Sequence, residues 1–590
     1  MTHGNYDKSP SIAIGDDASE CSAGWGEILP RLRAAIAPGC FVICVECYPG
    51  AFVAGIVRAL DEALRPQLTV FSEDCFHSAG ELDRMLSGRL TDDPVFGRME
   101  PIDLAAFLDA RKVAVARRDI DSASGLVVVI GTAAALVAER RDLLVYANMA
   151  RWEIQQRQRR GEIGNLGAAN LTDSPQAKYK RAYFVDWRAA DSLKRRLFGS
   201  IDFLLDSNDR REPKMISGAA YRRALEQAVR RPFRVVPYFD PGPWGGEWMR
   251  RTFDLPPQPP NFAWGFDCVP EENSLLLAFG SRRIEIPAID VVFTHPRELL
   301  GEAVHRQFGA EFPIRFDLLD TMGGGNLSLQ VHPLAAYIRD TFGLAYTQDE
   351  SYYLLDAEPG AMVYLGIQEG VDPARMSADL ARARDSGIPF AAEDYVNAWP
   401  ARKHDHFLIP AGTVHCSGRN SMVLEISATP YIFTFKLWDW GRLGLNGEPR
   451  PIHLDHGLRN IQWNRTTDWV RRELVGRVEP LSSGECWAEE RTGLHSLEFI
   501  ESRRHWFTGP VPHDTAGTVN VLNLVEGAEA LVESPCGAFE PFPVHYAETF
   551  IVPAAIGRYT IRPAHLSTAR MATIKAFVRE SRTRGAKRER

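Results

Sequence analysis

The sequence has no apolar run long enough to cross a membrane and little excess charge of either sign. Apolar stretches such as residues 125–130 are short, whereas a membrane-spanning helix needs about 20 apolar residues. The 68 basic and 76 acidic residues give a net charge of −8, so we expect neither nucleic acid nor a membrane as partner. The first 20 residues lack the basic and apolar regions of a signal peptide, which makes a cytoplasmic protein the expectation.

Cysteines are also sparse. There are nine, an odd number, and the only close spacing is Cys44-x-x-Cys47. A zinc knuckle would need a second pair, and no second pair is placed for it. We therefore interpret the cysteines as buried, reduced thiols.

At 590 residues and 45% hydrophobic composition, the chain can form two to four domains. Residues 1–26 are polar and predicted to be flexible, and the charged tail 579–590 is predicted to be disordered. Residues 27–230 alternate apolar strands with helical patterns, which predicts a parallel sheet covered on both faces. Within this domain, residues 151–160, "RWEIQQRQRR", predict an exposed helix with a solvated charged face.

Residues 50–57, "GAFVAGIV", have the glycine spacing of a phosphate-binding loop between a strand and a helix. The lysine and hydroxyl that such a loop needs are replaced by Ile56 and Val57, which can hold neither phosphate charge nor magnesium. The surrounding segments, including "TVFSEDCFHS" with Asp74, resemble nucleoside kinases of the uridine-kinase type. We interpret the domain as a degenerate P-loop kinase-like α/β domain; a working kinase with a displaced lysine is the alternative.

Short strands dominate after residue 231, where proline, glycine and aromatic residues become frequent. Aromatic and β-branched runs between turns predict an all-β sandwich or barrel over residues 231–480, with a helical insert at about 368–397. A second β-rich block covers residues 481–578. The predicted fold class is thus a multidomain α/β plus all-β protein.

Residues 327–333, "LSLQVHP", alternate apolar and polar side chains, which predicts a half-buried strand presenting Gln330 and His332 on one face. Glu350 precedes the next apolar strand, and His415 follows the Pro-Ala-Gly turn of "HFLIPAGTVH". One amide oxygen, two imidazoles and one carboxylate can bind zinc or a similar divalent ion. Such a metal would remain a Lewis acid able to polarise a carbonyl.

The segments "FPIRFDLLDTMGGGNLSLQVHP", "ESYYLLDAEPGAMVYLG", "IPAGTVH", "MVLEI" and "FKLWDWGRLGLNGEPRPIHL" resemble type I phosphomannose isomerase in their order and spacing. The resemblance covers residues 236–563. It implies two cupin (β-jelly-roll) domains. We expect the second to hold no metal, because His545 is the only histidine between residues 515 and 563. The resemblance also implies one zinc ion per chain, with ligands at Gln330, His332, Glu350 and His415.

The sequence departs from that family at two cationic positions. Gln348 stands where the family has a lysine before the metal-binding glutamate, and Lys436 stands where it has an arginine. Arg442 keeps the later basic position. Lysine retains charge but loses the planar fork of arginine. The resemblance implies catalytic roles for Lys436 and Arg442, and we place Gln348 and Asp439 at the substrate.

We therefore expect a metal-dependent aldose–ketose isomerase that interconverts mannose 6-phosphate and fructose 6-phosphate by proton transfer through an enediol. The alternatives are a cupin that binds a sugar or sugar phosphate without turnover, an isomerase for another sugar, and a bifunctional kinase–isomerase. His453 and His456 are interpreted as surface residues. The oligomeric state is left open.

Overall fold

The computed structural model describes residues 4–36, 42–428, 431, 433–493, 495–565 and 569–579. Within those residues, no helix is both long and apolar enough to cross a membrane. The predicted charged tail lies outside the described residues except for Arg579. Three regions follow one another along the chain, and they match the multidomain α/β plus all-β class predicted from the sequence.

The first region is built around a parallel sheet. Its strands are β1 (Ser11–Gly15), β2 (Ser22–Ala23), β3 (Val42–Cys47), β4 (Leu68–Phe71), β5 (Val127–Gly131), β6 (Leu143–Asn148), β7 (Phe203–Asp206) and β8 (Lys214–Ser217). Its helices are α1 (Trp25–Ala35), α2 (Val53–Leu64), α3 (Ala79–Leu90), α4 (Ala110–Ser122), α5 (Ala134–Val137), α6 (Arg151–Arg159), α7 (Pro175–Arg181), α8 (Trp187–Leu197) and α9 (Gly218–Ala228). The sheet order is β2-β8-β7-β6-β3-β5-β4, in which β3 to β7 run parallel.

The central strands of this sheet are apolar along their whole length because both faces are covered. Every residue of β3, β5 and β6 is buried, as expected when helices pack on both sides of a parallel sheet. The glycine turn lies between β3 and α2. There, Ile56 is buried in the core rather than directed at a ligand. Arg157 of α6 donates to the carbonyl of Gly50 at 2.8 Å, so α6 lies against the turn.

The expectation of a flexible N-terminus is wrong for the part the structure describes. Strand β1 pairs in parallel with β11 of the next region (residues 274–279). Tyr6 is buried, and its hydroxyl donates to Asp267 at 2.5 Å. The alternation of Ile12 and Ile14 places two apolar side chains in the core, which fixes this segment despite its polar composition.

The second region contains the strands that carry the predicted metal ligands. They are β9 (Tyr238–Asp240), β10 (Trp264–Cys268), β11 (Ser274–Phe279), β12 (Arg282–Pro287), β13 (Arg315–Asp320), β14 (Leu329–Val331), β15 (Glu350–Ala357), β16 (Met362–Ile367), β17 (Val396–Pro400), β18 (His406–Ile409), β19 (His415–Ser417), β20 (Ser421–Ser427) and β21 (Phe435–Trp438). Its helices are α10 (Trp248–Phe253), α11 (Ile289–Thr294), α12 (Pro296–Leu300), α13 (Glu302–Phe308), α14 (Ala335–Phe342), α15 (Pro373–Ser386), α16 (Leu454–Asn460) and α17 (Thr467–Glu473). Helix α15 falls inside the predicted insert.

Two antiparallel sheets form the centre of the second region. Their orders are β18-β15-β20-β13-β10-β9 and β17-β16-β19-β14-β21. Most residues of both sheets are buried on either face, since the remaining elements and the first region cover their outer sides. The assignment of this sandwich to the cupin family stays a prediction.

The third region is a second sandwich of antiparallel sheets. Its strands are β22 (Glu479–Ser483), β23 (Trp487–Gly493), β24 (Ile500–Phe507), β25 (Val511–Asp514), β26 (Asn520–Glu526), β27 (Glu529–Glu533), β28 (Phe542–His545), β29 (Thr549–Val552), β30 (Arg558–Pro563) and β31 (Met571–Val578). They form the sheets β22-β23-β24-β31-β26-β29 and β25-β30-β27-β28. Apolar side chains of both sheets pack into one core, as alternation along each strand requires.

Buried ion pairs join the first region to the second. Arg151 of α6 pairs with Glu271 at 2.7 Å, and Lys194 of α8 pairs with Asp290 at 2.6 Å. All four side chains are at most 10% exposed. Breaking a buried pair by removing one partner costs about 3–5 kcal/mol, because the other charge is left without compensation. The prediction that residues 151–160 form an exposed, solvated helix is therefore wrong: one face of α6 is an interface.

Candidate metal centre and substrate cavity

Strand β14 and the residue after it place Gln330 and His332 on the interior side of the second region. Gln330 lies opposite His415 of β19 and opposite Lys436 of β21. Residues directly opposite each other in antiparallel strands direct their side chains to the same face. Strand pairing therefore places the Gln330 side chain beside those of His415 and Lys436, in the interior between the two sheets.

The other two predicted ligands come from different sheets. Glu350 begins β15 of the six-stranded sheet, and His415 begins β19 of the five-stranded sheet. The turn before His415 is held to the His332 segment, because the Gly412 amide donates to the His332 carbonyl at 3.0 Å. Glu350 and both histidines are essentially unexposed. The structure thus brings Gln330, His332, Glu350 and His415 together.

The hydrogen bonds of the two imidazoles show which nitrogen each one offers. His332 Nδ1 lies 2.9 Å from the Phe433 carbonyl, and His415 Nδ1 lies 2.8 Å from the Thr413 carbonyl. A carbonyl can only accept, so each Nδ1 carries the proton and each Nε2 of a neutral ring has a free lone pair. These two Nε2 atoms lie 3.0 and 2.8 Å from the oxygens of Glu350.

Hydrogen-bond acceptors that face one another at this distance repel each other unless a cation lies between them. Burial alone would raise the pKa of Glu350, but positive charge on the two imidazoles outweighs it and holds that pKa well below its usual range. The carboxylate is therefore stabilised by a cation at this place, either a proton on a ring or a metal ion. Apart from the contacts within this cluster, His332 Nε2 and Glu350 Oε1 find no hydrogen-bond partner among the described residues. The ligand atoms of His332, Glu350 and His415 all lie within 4.8 Å of one another. Two imidazoles and one carboxylate are a donor set that fits zinc.

Gln330 completes the set through its amide. Its Nε2 lies 3.2 Å from His415 Nε2, and turning the amide over would put its oxygen at the same place. The two orientations of a glutamine amide have almost the same shape. The assignment of these four residues as metal ligands remains a prediction.

Gln348 orients the carboxylate of Glu350. Its Nε2 donates to Glu350 Oε2 at 2.9 Å, and its Oε1 accepts from the Phe433 amide at 3.1 Å. The Phe433 carbonyl is also the partner of His332. One backbone segment therefore positions two of the predicted ligands. Gln348 also lines the cavity beside the metal centre. From that position its side chain can contact a substrate, as predicted.

Lys436 lies on the same face as Gln330 and lines that cavity. Among the described residues, no hydrogen bond or ion pair to its ammonium group is found. Burial, together with the nearby Arg450, lowers the pKa of Lys436 to about 8. The group is therefore a cation at neutral pH that can also give up its proton readily.

Arg442 and Asp439 stand in a different position from Lys436. Arg442 donates to Asp439 through Nε and Nη2 at 3.0 and 2.7 Å. Asp439 also accepts from Ser328 at 2.8 Å, which fixes the turn after β21 to the strand β14 segment. Among the described residues, neither of the two lines the cavity. The geometry favours a positioning role for both over direct contact with substrate.

A pair of carboxyl groups was missed from the sequence. Asp317 of β13 and Glu425 of β20 are directly opposite each other and both line the cavity. Burial raises the pKa of Glu425 well above its usual range, and Glu350 and Asp317 add to this. Burial also raises the pKa of Asp317 to about 6. The signal was an acid at an interior position of each apolar strand, Asp317 in "RFDLLD" and Glu425 in "MVLEIS".

The cavity beside the metal centre has a volume of about 480 Å³, and its lining crosses regions. His453, expected at the surface, is 6% exposed and lines it, with its ring 5.0 Å from that of Phe96. Phe96 and Val95 come from the first region, as do Arg159 and Tyr179. Phe96 and His453 are more than 300 positions apart in the chain, and no local pattern could reveal their contact.

The third region contains a buried histidine pair away from the cavity. The rings of His505 and His513 are 4.4 Å apart, and His513 stacks on Tyr559 at 4.9 Å. Neither nitrogen of His513 has a hydrogen-bond partner among the described residues. Burial holds the pKa of His513 well below its usual value, so the ring is neutral in the folded chain.

One comparison with known proteins falls on the first region of the chain. Residues 24–230 match a family model described as a domain of unknown function (DUF8485). That match lends no support to the kinase-like interpretation of this region, which stays a prediction. The described elements from β3 to α9 fall within it.

The chain is also similar to proteins named mannose-6-phosphate isomerase. The enzyme of that name from Streptococcus mutans is 26% identical over 220 residues, which cover 36% of this chain and 63% of that protein. The putative mannose-6-phosphate isomerase YvyI of Bacillus subtilis is 25% identical over 343 residues, covering 56% of this chain and 96% of that protein. The crystal structure of the mannose 6-phosphate isomerase from Bacillus subtilis is 19% identical, with a TM-score of 0.47, covering 58% of this chain and 99% of that one. The chain is thus related in sequence to this group, as the resemblance predicted.

Proposed function

We propose that the chain is a metal-dependent aldose–ketose isomerase acting on a sugar phosphate, with mannose 6-phosphate and fructose 6-phosphate as the leading pair. The observation that carries the proposal is the buried His332–Glu350–His415 cluster, whose possible ligand atoms all lie within 4.8 Å of one another. It opens beside a cavity lined by both a cation and carboxyl groups. The similarity to proteins named mannose-6-phosphate isomerase supports the same reaction.

A zinc ion bound by Gln330, His332, Glu350 and His415 would supply a Lewis acid that polarises the carbonyl or hydroxyl oxygens of the sugar. The protein's own part is to hold those four side chains in place. Both histidines are fixed by Nδ1 hydrogen bonds to backbone carbonyls, and Glu350 is fixed by Gln348. Such supporting contacts keep ligands in a single orientation.

The reaction itself moves a proton between C2 and C1 and forms an enediolate on the way. Glu425 and Asp317 are candidates to take and return that proton, since both line the cavity and burial raises both pKa values, that of Asp317 to about 6. Lys436, whose ammonium group has no hydrogen-bond or ion-pair partner among the described residues, supplies a cation for the oxyanion that develops. Arg450 also lines the cavity and shares the single carboxylate of Asp439 with Arg442, which leaves net positive charge and makes Arg450 a candidate for the phosphate.

The second candidate function is sugar binding without turnover. It is favoured by the two departures from the family pattern, Gln348 and Lys436, because mechanistic roles carried by resemblance depend on the neighbouring residues. An isomerase for another sugar is consistent with the same two departures.

A coupled assay with several hexoses and hexose phosphates, with and without zinc, separates these functions. We expect zinc-dependent turnover of mannose 6-phosphate. Lys436→Ala should retain zinc and lose turnover, whereas Lys403→Ala, which removes a lysine paired with Glu526 outside the cavity, should retain both. Full turnover in Lys436→Ala would contradict the mechanism, and no turnover of any sugar would leave the binding function.

A further inference from the structure

A second cavity adjoins the one at the metal centre, between the first and second regions. Its volume is about 310 Å³. Four residues line both cavities, so the two are contiguous: Arg159, Gln176, Tyr179 and Trp264. Three of the four come from helices α6 and α7 of the first region. Whatever enters the second cavity is therefore in contact with the first region.

The walls of this second cavity are firmly held. Arg159 binds Asp240 through two nitrogens, each 2.7 Å from a carboxylate oxygen, and lies over the ring of Trp152. The Tyr179 hydroxyl donates to Glu272 at 2.9 Å. The buried pairs of Arg151 and Lys194 with the second region fix α6 and α8 nearby. The cavity is thus a built feature of the interface.

The lining combines aromatic rings with amides and carboxylates in about equal numbers. Trp152, Tyr238 and Trp264 supply apolar walls, and Gln158, Asp240 and Glu272 supply polar atoms. Asp240 and Glu272 have partners within the protein, but a purely apolar ligand would leave the Gln158 amide without water or partner, at a cost. A sugar ring has both an apolar face and a rim of hydroxyls, so its chemistry matches this lining.

One polar atom in the lining has no partner. Gln158 is 3% exposed, and its amide oxygen makes no hydrogen bond to any described residue. Buried side-chain acceptors are satisfied in the large majority of cases. A hydroxyl donor from a ligand would satisfy this one.

The charges exclude a nucleotide. Arg159 is the cation among the described lining residues, and Asp240 already neutralises it; Glu272 adds a negative charge. A diphosphate in the second cavity would find no free cation and would be repelled by one carboxylate. A neutral, hydroxylated ring meets no such penalty.

We propose that the second cavity is a subsite for a further sugar ring, so that the preferred substrate carries a second sugar linked to the aldose at the metal centre. The first region then determines substrate size, as one wall of the subsite. This inference rests on the proposed function only for the identity of the ring at the metal centre.

Calorimetry with mannose and with mannobioses of each available linkage tests the subsite. We expect at least one mannobiose to bind about tenfold more tightly than mannose, from added ring contact and a new hydrogen bond. Gln158→Leu and Trp152→Ala should each bring this ratio close to one. Gln156→Ala, on the same helix but outside both linings, should leave it unchanged.

Two further readouts separate a binding role from a structural one. Gln158→Leu removes an unpartnered buried acceptor, so its melting temperature should equal or exceed that of wild type. In His332→Ala, the preference for mannobiose should persist even where turnover is lost, so failure of the isomerase proposal does not decide this one. Equal affinities for mannose and every mannobiose would overturn the subsite, as would a preference that survives in both Gln158→Leu and Trp152→Ala. Tighter binding of a nucleotide sugar would overturn the assignment to a neutral ring.

Discussion

Replacing Gln348 with methionine tests whether this residue orients the metal centre. Methionine has nearly the same length and volume but cannot donate to a carboxylate or accept from an amide. In Gln348→Met, Glu350 Oε2 would lose a donor at 2.9 Å and the Phe433 amide would lose an acceptor at 3.1 Å. Both groups are deeply buried, so water cannot take over.

The size of the effect follows from these two hydrogen bonds. A hydrogen bond to a charged group contributes about 1.5–3 kcal/mol, and an unsatisfied buried donor costs about 1–3 kcal/mol. Part of this loss appears in stability, and part appears at the metal, because Glu350 is free to turn. Loss of a residue that supports a ligand lowers metal affinity by about 10–100-fold.

Competition for zinc with a chromophoric chelator measures that affinity directly. Gln348→Met should bind zinc about 10–100-fold more weakly than wild type, while Gln156→Met, outside the cavity, should match wild type. Unchanged or tighter zinc binding in Gln348→Met would refute the role assigned to Gln348. Weakened binding in both variants would show that the effect is not specific to the site.

Two other predictions concern the first and third regions. Calorimetry with Mg-ATP should show no binding to the loop at residues 50–57, because Ile56 and Val57 replace the lysine and hydroxyl; micromolar binding that is lost on disrupting Gly55 would contradict this. Burial lowers the pKa of His513 in the folded chain, so its neutral ring contributes stability that is present above the unfolded pKa of about 6.5 and lost as the pH falls below it. The free energy of urea unfolding of His513→Phe, relative to that of wild type, should therefore rise by about 2 kcal/mol between pH 8 and pH 5. No rise would contradict this. His565→Gln, at an exposed position, is the control.

The sequence could predict those features that depend on neighbouring residues. Alternation in "LSLQVHP" placed Gln330 and His332 on one face, and the continuous apolar strands predicted the parallel sheet. The family resemblance, and not their spacing in the sequence, implied that Glu350 and His415 lie close together. The structure supplies the physical reason, since the two residues begin strands in different sheets that meet across the site.

Features that depend on distant contacts could not be predicted. Arg151 and Arg157 of α6 look like a solvated charge run, yet both are at most 1% exposed because the second region supplies Glu271 and the turn after β3 supplies a carbonyl. Phe96 reaches the cavity only because it packs on Phe433, with ring centroids 5.1 Å apart. Nothing in either local sequence identifies the other.

Metal content tests the central claim most directly. Elemental analysis of the purified chain should find one zinc ion per chain in wild type and none in His332→Ala or His415→Ala, because each variant removes a ligand from a four-residue set. His406→Ala, which removes a buried histidine outside the cavity, should retain the ion. A wild-type chain that holds no divalent ion after zinc loading, or a His332→Ala variant that holds as much zinc as wild type, would contradict the account.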